Sequence, residues 1–118
     1  MVTGLKLVWT PVAERTFNEL KAAAIKTKTA RETGNAKKAT KQEGLFKQVV
    51  KCLSFLECNP RHPGLQTHEF TSIEHPYKKG EKVFEAYVQD KTPGAYRLFW
   101  CYGPEQGQIT VIAITPHP

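Results

Sequence analysis

The sequence predicts a two-layer α+β domain, a mixed sheet with its helices on one face, and three observations carry that prediction. A short β-prone stretch opens the chain, two long amphipathic stretches follow, and three β-rich segments separated by hairpin chemistry close it. The order is strand, helix, helix, then four strands, and no repeat, low-complexity tract or linker divides residues 1–118, which read as a single domain.

Residues 5–9, LKLVW, are short, apolar and rich in strand formers, and read as the first strand. Thr10-Pro11 then opens a helix. The threonine can cap free amides, proline fits the first helical position, and Glu14 meets the positive end of the helix dipole. Ala13, Phe17, Leu20 and Ala24 recur at helical spacing and give this helix one core-facing stripe. It runs to about Glu32, where Thr33-Gly34-Asn35 breaks it. A second helix starts near Ala36, sets Leu45, Val49, Cys52, Leu53 and Leu56 on one side, and stops at Asn59-Pro60, since proline disfavours a helical residue before it. The Pro63-Gly64 turn leads into a short strand over residues 65–70, and HPYKKGEK, from His75 onward, is a loop. Strands follow over residues 82–89, 95–102 and 108–115. DKTPG and GPEQG between them have turn chemistry, which makes these strands antiparallel neighbours.

Composition narrows the class. A chain of 118 residues can own one real core. No apolar run approaches the roughly 20 residues of a membrane span, and MVTGLKLVWTP lacks the basic start and long apolar run of a signal peptide, so a cytoplasmic protein is expected. Cys52, Cys58 and Cys101 form an odd set without a CxxC pair, which reads as free thiols rather than a zinc site or a disulfide framework; no metal or other cofactor is expected. The net charge of +6 points to an anionic partner. Residues 26–43 hold six Lys/Arg against two Glu, which is +4 of that total, at the tip of the helical hairpin. Lys37, Lys38 and Lys41 there are either a solvated face or a contact for RNA or an acidic partner. Lys78, Lys79 and Lys82 are placed nearer the uncovered face of the sheet, as candidates for phosphate contacts.

Strand alternation indicates which side chains reach that face. In AYRLFWCY, Arg97 falls opposite Tyr96, Leu98 and Trp100, and an arginine does not suit a helix-covered core. In KVFEAYVQ, Phe84, Ala86 and Val88 suit the core and leave Glu85 and Tyr87 on the open side. Arg97, Glu85 and Tyr87 therefore converge, with His68 at their flank and His117 leaving the last strand. Ribose 2′-hydroxyl attack on the adjacent phosphate needs a base, an acid for the leaving oxygen and fixed positive charge, and these residue types supply all three. The same residues also admit a structural reading: an Arg97–Glu85 ion pair, solvated strand positions, and a terminal histidine with no role. His62 reads as a turn residue and His75 as a loop or edge polar group.

On LVWTPVAERTFNEL, FLECNPRHPGL, LQTHEF, GAYRLFW and the closing ITPHP, the chain resembles the RelE/ParE superfamily, the small basic toxins of type II toxin–antitoxin systems. The resemblance covers most of the chain and implies the RelE/ParE-like version of the two-layer fold. It further implies a metal-independent endoribonuclease, an mRNA interferase acting on mRNA at the ribosome, held in check by a cognate antitoxin. Carried onto this sequence, it suggests Arg97 as stabiliser of the phosphorane, His117 as general acid, and Glu85 or His68 as base. Some relatives carry lysines on the strand that here reads VFEAYVQ, and the hairpin tip is longer and more basic than is usual for them. The gyrase-inhibiting ParE branch shares the fold without ribonuclease chemistry, and an inactive, nucleic-acid-binding relative is the other alternative.

Overall fold

The computed structural model describes residues 4–34, 41–89 and 94–116. Strand β1 (Lys6–Trp9) leads into helices α1 (Pro11–Glu32) and α2 (Lys41–Cys58), and a 3-10 turn (Pro63–Leu65) precedes strands β2 (His68–Glu69), β3 (Phe84–Tyr87), β4 (Tyr96–Tyr102) and β5 (Gln108–Pro116). The sheet order is β1-β5-β4-β3-β2. β1 runs parallel to β5, and every other pairing is antiparallel, so the sheet is mixed as expected.

The start of α1 forms as its sequence dictates. Thr10 Oγ1 accepts from the Ala13 amide at 3.1 Å and donates to the Ile112 carbonyl at 2.7 Å, so one hydroxyl caps the helix and fastens it to β5. The apolar stripes of both helices meet one face of the sheet. Ala13, Val49, Cys52, Leu53 and Leu56 pack with Ala86, Leu98, Trp100, Ile109, Val111 and Ile114 in one core. Trp9, Phe17 and Phe46 extend it between the helices, with ring centroids 5.1 and 5.4 Å apart. Among the described residues, no helix is long and apolar enough to cross a membrane.

Two expectations need correction. The strand expected over residues 65–70 shrinks to β2, because Gln66 closes the 3-10 turn in the left-handed region (φ 49, ψ 40), which an extended chain cannot contain. The second is larger: the face without helices is not open. Residues 70–82 fold across it. The Phe70 ring lies 4.7 Å from that of Phe99. His75 Nδ1 accepts from the Tyr77 and Lys78 amides, while its Nε2 donates to the Tyr102 carbonyl at 3.1 Å, so His75 is a buried staple rather than a loop polar group. Thr110 Oγ1 sits 2.9 Å from the Gly103 carbonyl and 3.0 Å from the Tyr77 hydroxyl; with one proton to give, it donates to the carbonyl and accepts from the tyrosine.

The cysteines are free thiols. Cys52 and Cys101 are buried in apolar surroundings, which push their pKa up to about 12 and about 11, whereas Cys58 is exposed. At neutral pH a thiol reagent is therefore expected to titrate Cys58 alone in the native chain, and Cys52 and Cys101 as well after denaturation. Both shifts raise the folded-state value above the ordinary 9.0, so their effect on stability is nil below pH 9 and unfavourable as pH climbs from 9, where the unfolded thiols ionise first. A pH series of urea midpoints checks the sign.

Candidate functional site

Register brings the polar residues of the central strands together. Tyr87 pairs with Arg97, Glu85 with Phe99, and His68 with Glu85, so His68, Glu85, Tyr87 and Arg97 share the face opposite the helices. The side chains complete the contact. Glu85 Oε1 lies 2.5 Å from His68 Nε2, and Glu85 Oε2 lies 3.8 Å from Arg97 Nε. The guanidinium carbon sits 4.1 Å from the centroid of the Tyr87 ring, a cation–π stack, and the His68 and Tyr87 rings meet edge to face at 5.6 Å.

Burial departs from expectation. Arg97 is 4% exposed and Glu85 6%, so neither is a solvated strand position. The Tyr87 ring laid over the guanidinium is one cover, and Phe70 against Phe99, the register partner of Glu85, is another. His68 is the accessible member, with 45% of its side chain exposed. Its two ring nitrogens both face acceptors, since Nδ1 is 3.2 Å from the Gln66 carbonyl and Nε2 meets the Glu85 carboxylate. This pattern is complete when a proton lies between Nε2 and Oε1, on either partner. The pair is thus a hydrogen-bonded His–Glu unit at the mouth of a buried cluster.

Arg97 is incompletely satisfied. Nη1 donates to the Ala95 and Tyr96 carbonyls at 3.3 Å each, but the buried Nε–H has no hydrogen-bond acceptor, because the Glu85 oxygen at 3.8 Å is too far. A buried orphan donor typically costs about 1–3 kcal/mol; Thr67 Oγ1 and Trp100 Nε1 are buried without a partner as well.

The remaining candidates lie elsewhere. Lys78 and Lys82 line a cleft of about 610 Å³ with His75, Tyr77, Phe84 and Tyr102, and Lys79 is exposed beside them. That cleft sits past the Phe84 end of β3, whereas Arg97 pairs with the Tyr87 end. Lys82 stands about 17 Å from Tyr87 along an extended strand. These lysines are thus not part of the Arg97 cluster. Lys41 is exposed at the start of α2, and Lys37, Lys38 and His117 lie outside the described residues.

A feature that strand alternation could not reveal lies in β5. Phe99 pairs with Ala113 but Trp100 with Val111, which leaves Ile112 as an extra residue. The bulge reverses the facing of everything after it, so that Thr115 pairs with Arg97 on the site's face. The second overlooked feature is a wall beside Tyr87. Phe55 and His62 stack at 3.9 Å and 8°, and the Gly64 amide donates to His62 Nδ1 at 2.9 Å. A Cβ on Gly64 would stand 3.0 Å from both His62 Nδ1 and Phe55 Cε2. Gly64→Ala is accordingly expected to break the stack and cost about 1–3 kcal/mol, read as a lower urea midpoint. The His-Pro-Gly run in NPRHPGL was the available signal.

This arrangement of strands and helices is known. The chain is similar to a YoeB/ParE toxin from Agrobacterium tumefaciens, with a TM-score of 0.57 and 10% identity over 97% of this chain and 100% of that one. It is similar to YoeB from Staphylococcus aureus, solved as a dimer, with a TM-score of 0.55 and 11% identity over 97% and 98% of the two chains. It is also similar to a chain of an archaeal RelE–RelB complex from Pyrococcus horikoshii, with a TM-score of 0.55 and 12% identity over 98% and 96%. No protein-family model matches the chain, and no curated protein matches it in sequence. At these identities the likeness is one of fold, and the fold is the RelE/ParE-like fold that the sequence suggested.

Proposed function

We propose that this RelE/ParE-fold chain is the toxin of a type II toxin–antitoxin system, a metal-independent endoribonuclease that cleaves mRNA on the ribosome. The observation that carries the reading is the orphan Nε–H of buried Arg97 beside the His68–Glu85 pair. An arginine that cannot lose its charge, an unmet donor and a histidine beside a carboxylate are what phosphodiester cleavage by a ribose hydroxyl needs.

In this mechanism the phosphate displaces the Tyr87 ring from the guanidinium, and one of its oxygens accepts from Arg97 Nε. Glu85 or His68 takes the proton of the 2′-hydroxyl, Glu85 on a carboxylate oxygen or His68 on Nε2 once that nitrogen turns from Glu85, and the hydroxyl oxygen attacks phosphorus. Arg97 stabilises the charge that gathers on the equatorial oxygens. The bond to the 5′-oxygen then breaks, and His117, two residues beyond Thr115 in sequence, gives that oxygen its proton. The products are a 2′,3′-cyclic phosphate and a 5′-hydroxyl. Lys78, Lys79 and Lys82, and Lys37, Lys38 and Lys41 at the hairpin tip, attract the more distant phosphates. The chain's positive charge also suits an acidic antitoxin, and one of the solved structures with this fold is a RelE–RelB complex. A cytoplasmic site of action follows from the substrate.

A second reading has its own observation. Arg97 paired with Glu85 and stacked on Tyr87 is also what a structural ion pair looks like, and this suits a non-catalytic, ParE-like inhibitor of DNA gyrase. Induced expression separates the two. The ribonuclease reading expects fragmented transcripts without DNA-damage signalling; intact transcripts with that signalling would overturn it in favour of the second.

A further inference from the structure

A cleft of about 370 Å³ runs between α2 and the edge of β3 that β2 leaves uncovered, since β2 pairs with Phe84 and Glu85 alone. That volume lies within the range of small-molecule sites. Tyr87, whose ring carries the Arg97 guanidinium, is one of its walls, so the cleft adjoins the site already described.

Its chemistry is specific. The stacked Phe55 and His62 rings supply a flat, apolar surface. Because His62 Nδ1 accepts from the Gly64 amide, the neutral ring carries its proton on Nε2, a donor with no acceptor among the described residues. Gln89 holds a second donor in place: its Oε1 accepts from the Tyr96 amide at 2.9 Å and its Nε2 donates to Gln48 Oε1 at 3.2 Å, which turns the Gln48 amide nitrogen outward as a donor. Lys51 Nζ stands 5.7 Å from the Phe55 centroid and adds positive charge at the rim. A planar apolar surface, fixed donors and one cation, parted only by the Tyr87 ring from an arginine with an unmet N–H, match a nucleotide: a base with a flat face and acceptor edge, joined to a phosphate.

We infer that this cleft is the subsite for the nucleotide adjoining the scissile phosphate. The base packs against Phe55 and His62, Gln48 reads its edge, and Lys51 meets the next phosphate. Gln48 and Lys51 are thereby specificity-determining residues. The inference rests on the ribonuclease reading for the phosphate's position at Arg97, though binding can be measured without cleavage.

The test is titration of a 2′-O-methyl RNA trinucleotide, which lacks the attacking hydroxyl, into the full-length chain labelled with ¹⁵N. Amide shifts at Gln48, Lys51, His62 and Gln66 are expected. Gln48→Ala with Lys51→Ala is expected to weaken binding about tenfold or more without lowering the melting temperature, both side chains being exposed. The double variant should also change which nucleotide flanks the cut in transcripts. Equal affinity in wild type and double variant, no shifts in the cleft, or shifts there with an acidic peptide and none with RNA would each overturn the subsite. If the cleft binds RNA but the wild type cuts no transcript, the subsite stands and the ribonuclease reading falls. If transcripts are cut with unchanged preference and trinucleotide affinity in the double variant, the ribonuclease reading stands and the subsite falls.

Discussion

Arg97→Lys is expected to leave a folded protein whose transcript cleavage falls by about 10²–10³-fold, the usual effect of removing one transition-state donor. Lysine keeps a positive charge near Glu85 but loses the planar fork and the Nε–H that faces no acceptor here. Arg97→Ala is a harsher change. It leaves the Glu85 carboxylate, 6% exposed, with His68 as its remaining partner, and removing one partner of a buried ion pair typically costs about 3–5 kcal/mol. Lost cleavage in the alanine variant alone would therefore be ambiguous between a missing clamp and a collapsed site. Circular dichroism and a urea midpoint on both variants, beside mapped transcripts, separate those causes. A lysine variant that cuts at the wild-type rate would show Arg97 to be structural.

Glu85→Gln should produce the other large effect. The amide keeps the shape of the carboxyl and a hydrogen bond to His68, but it cannot act as a base and leaves Arg97 buried without a counter-charge. Cleavage is expected to drop by about 10²–10⁴-fold, the range of a lost general base, and stability by about 3–5 kcal/mol. Combining Glu85→Gln with Arg97→Met removes both charges and should cost less than the sum of the single changes, because no buried charge is left alone. Additive losses in that cycle would contradict the ion pair.

Most of the fold was legible because local signals agreed with one another. Thr10-Pro11, the helical stripes and the hairpin segments each pointed to the element that formed, and odd-even alternation put Glu85, Tyr87 and Arg97 on one face. Local pattern could not supply the long-range features. The cover formed by Phe70, His75 and Tyr77 belongs to a loop whose path is fixed by the Tyr102 carbonyl and Thr110, far off in sequence, and it crosses the face that alternation left open. The β5 bulge was equally hidden, since QITVIAIT is apolar almost throughout and gives no sign of the extra residue at Ile112. Without the bulge, Thr115 would share the core face of Ile109 and Val111. The Phe55–His62 wall was missed because His62 looked like a turn residue, which it also is: its Nδ1 accepts from Gly64.

The central claim is that the Arg97 cluster drives attack by the ribose hydroxyl itself, and the chemistry of the cut ends tests it most directly. Purified protein would be mixed with ribosomes carrying an end-labelled mRNA, and the fragment termini identified by mass. Fragments bearing a 2′,3′-cyclic phosphate and a 5′-hydroxyl, formed by the wild type and lost with Arg97→Lys, are the expected result. Intact mRNA, fragments with 5′-phosphate ends, or equal cleavage by the variant would contradict it.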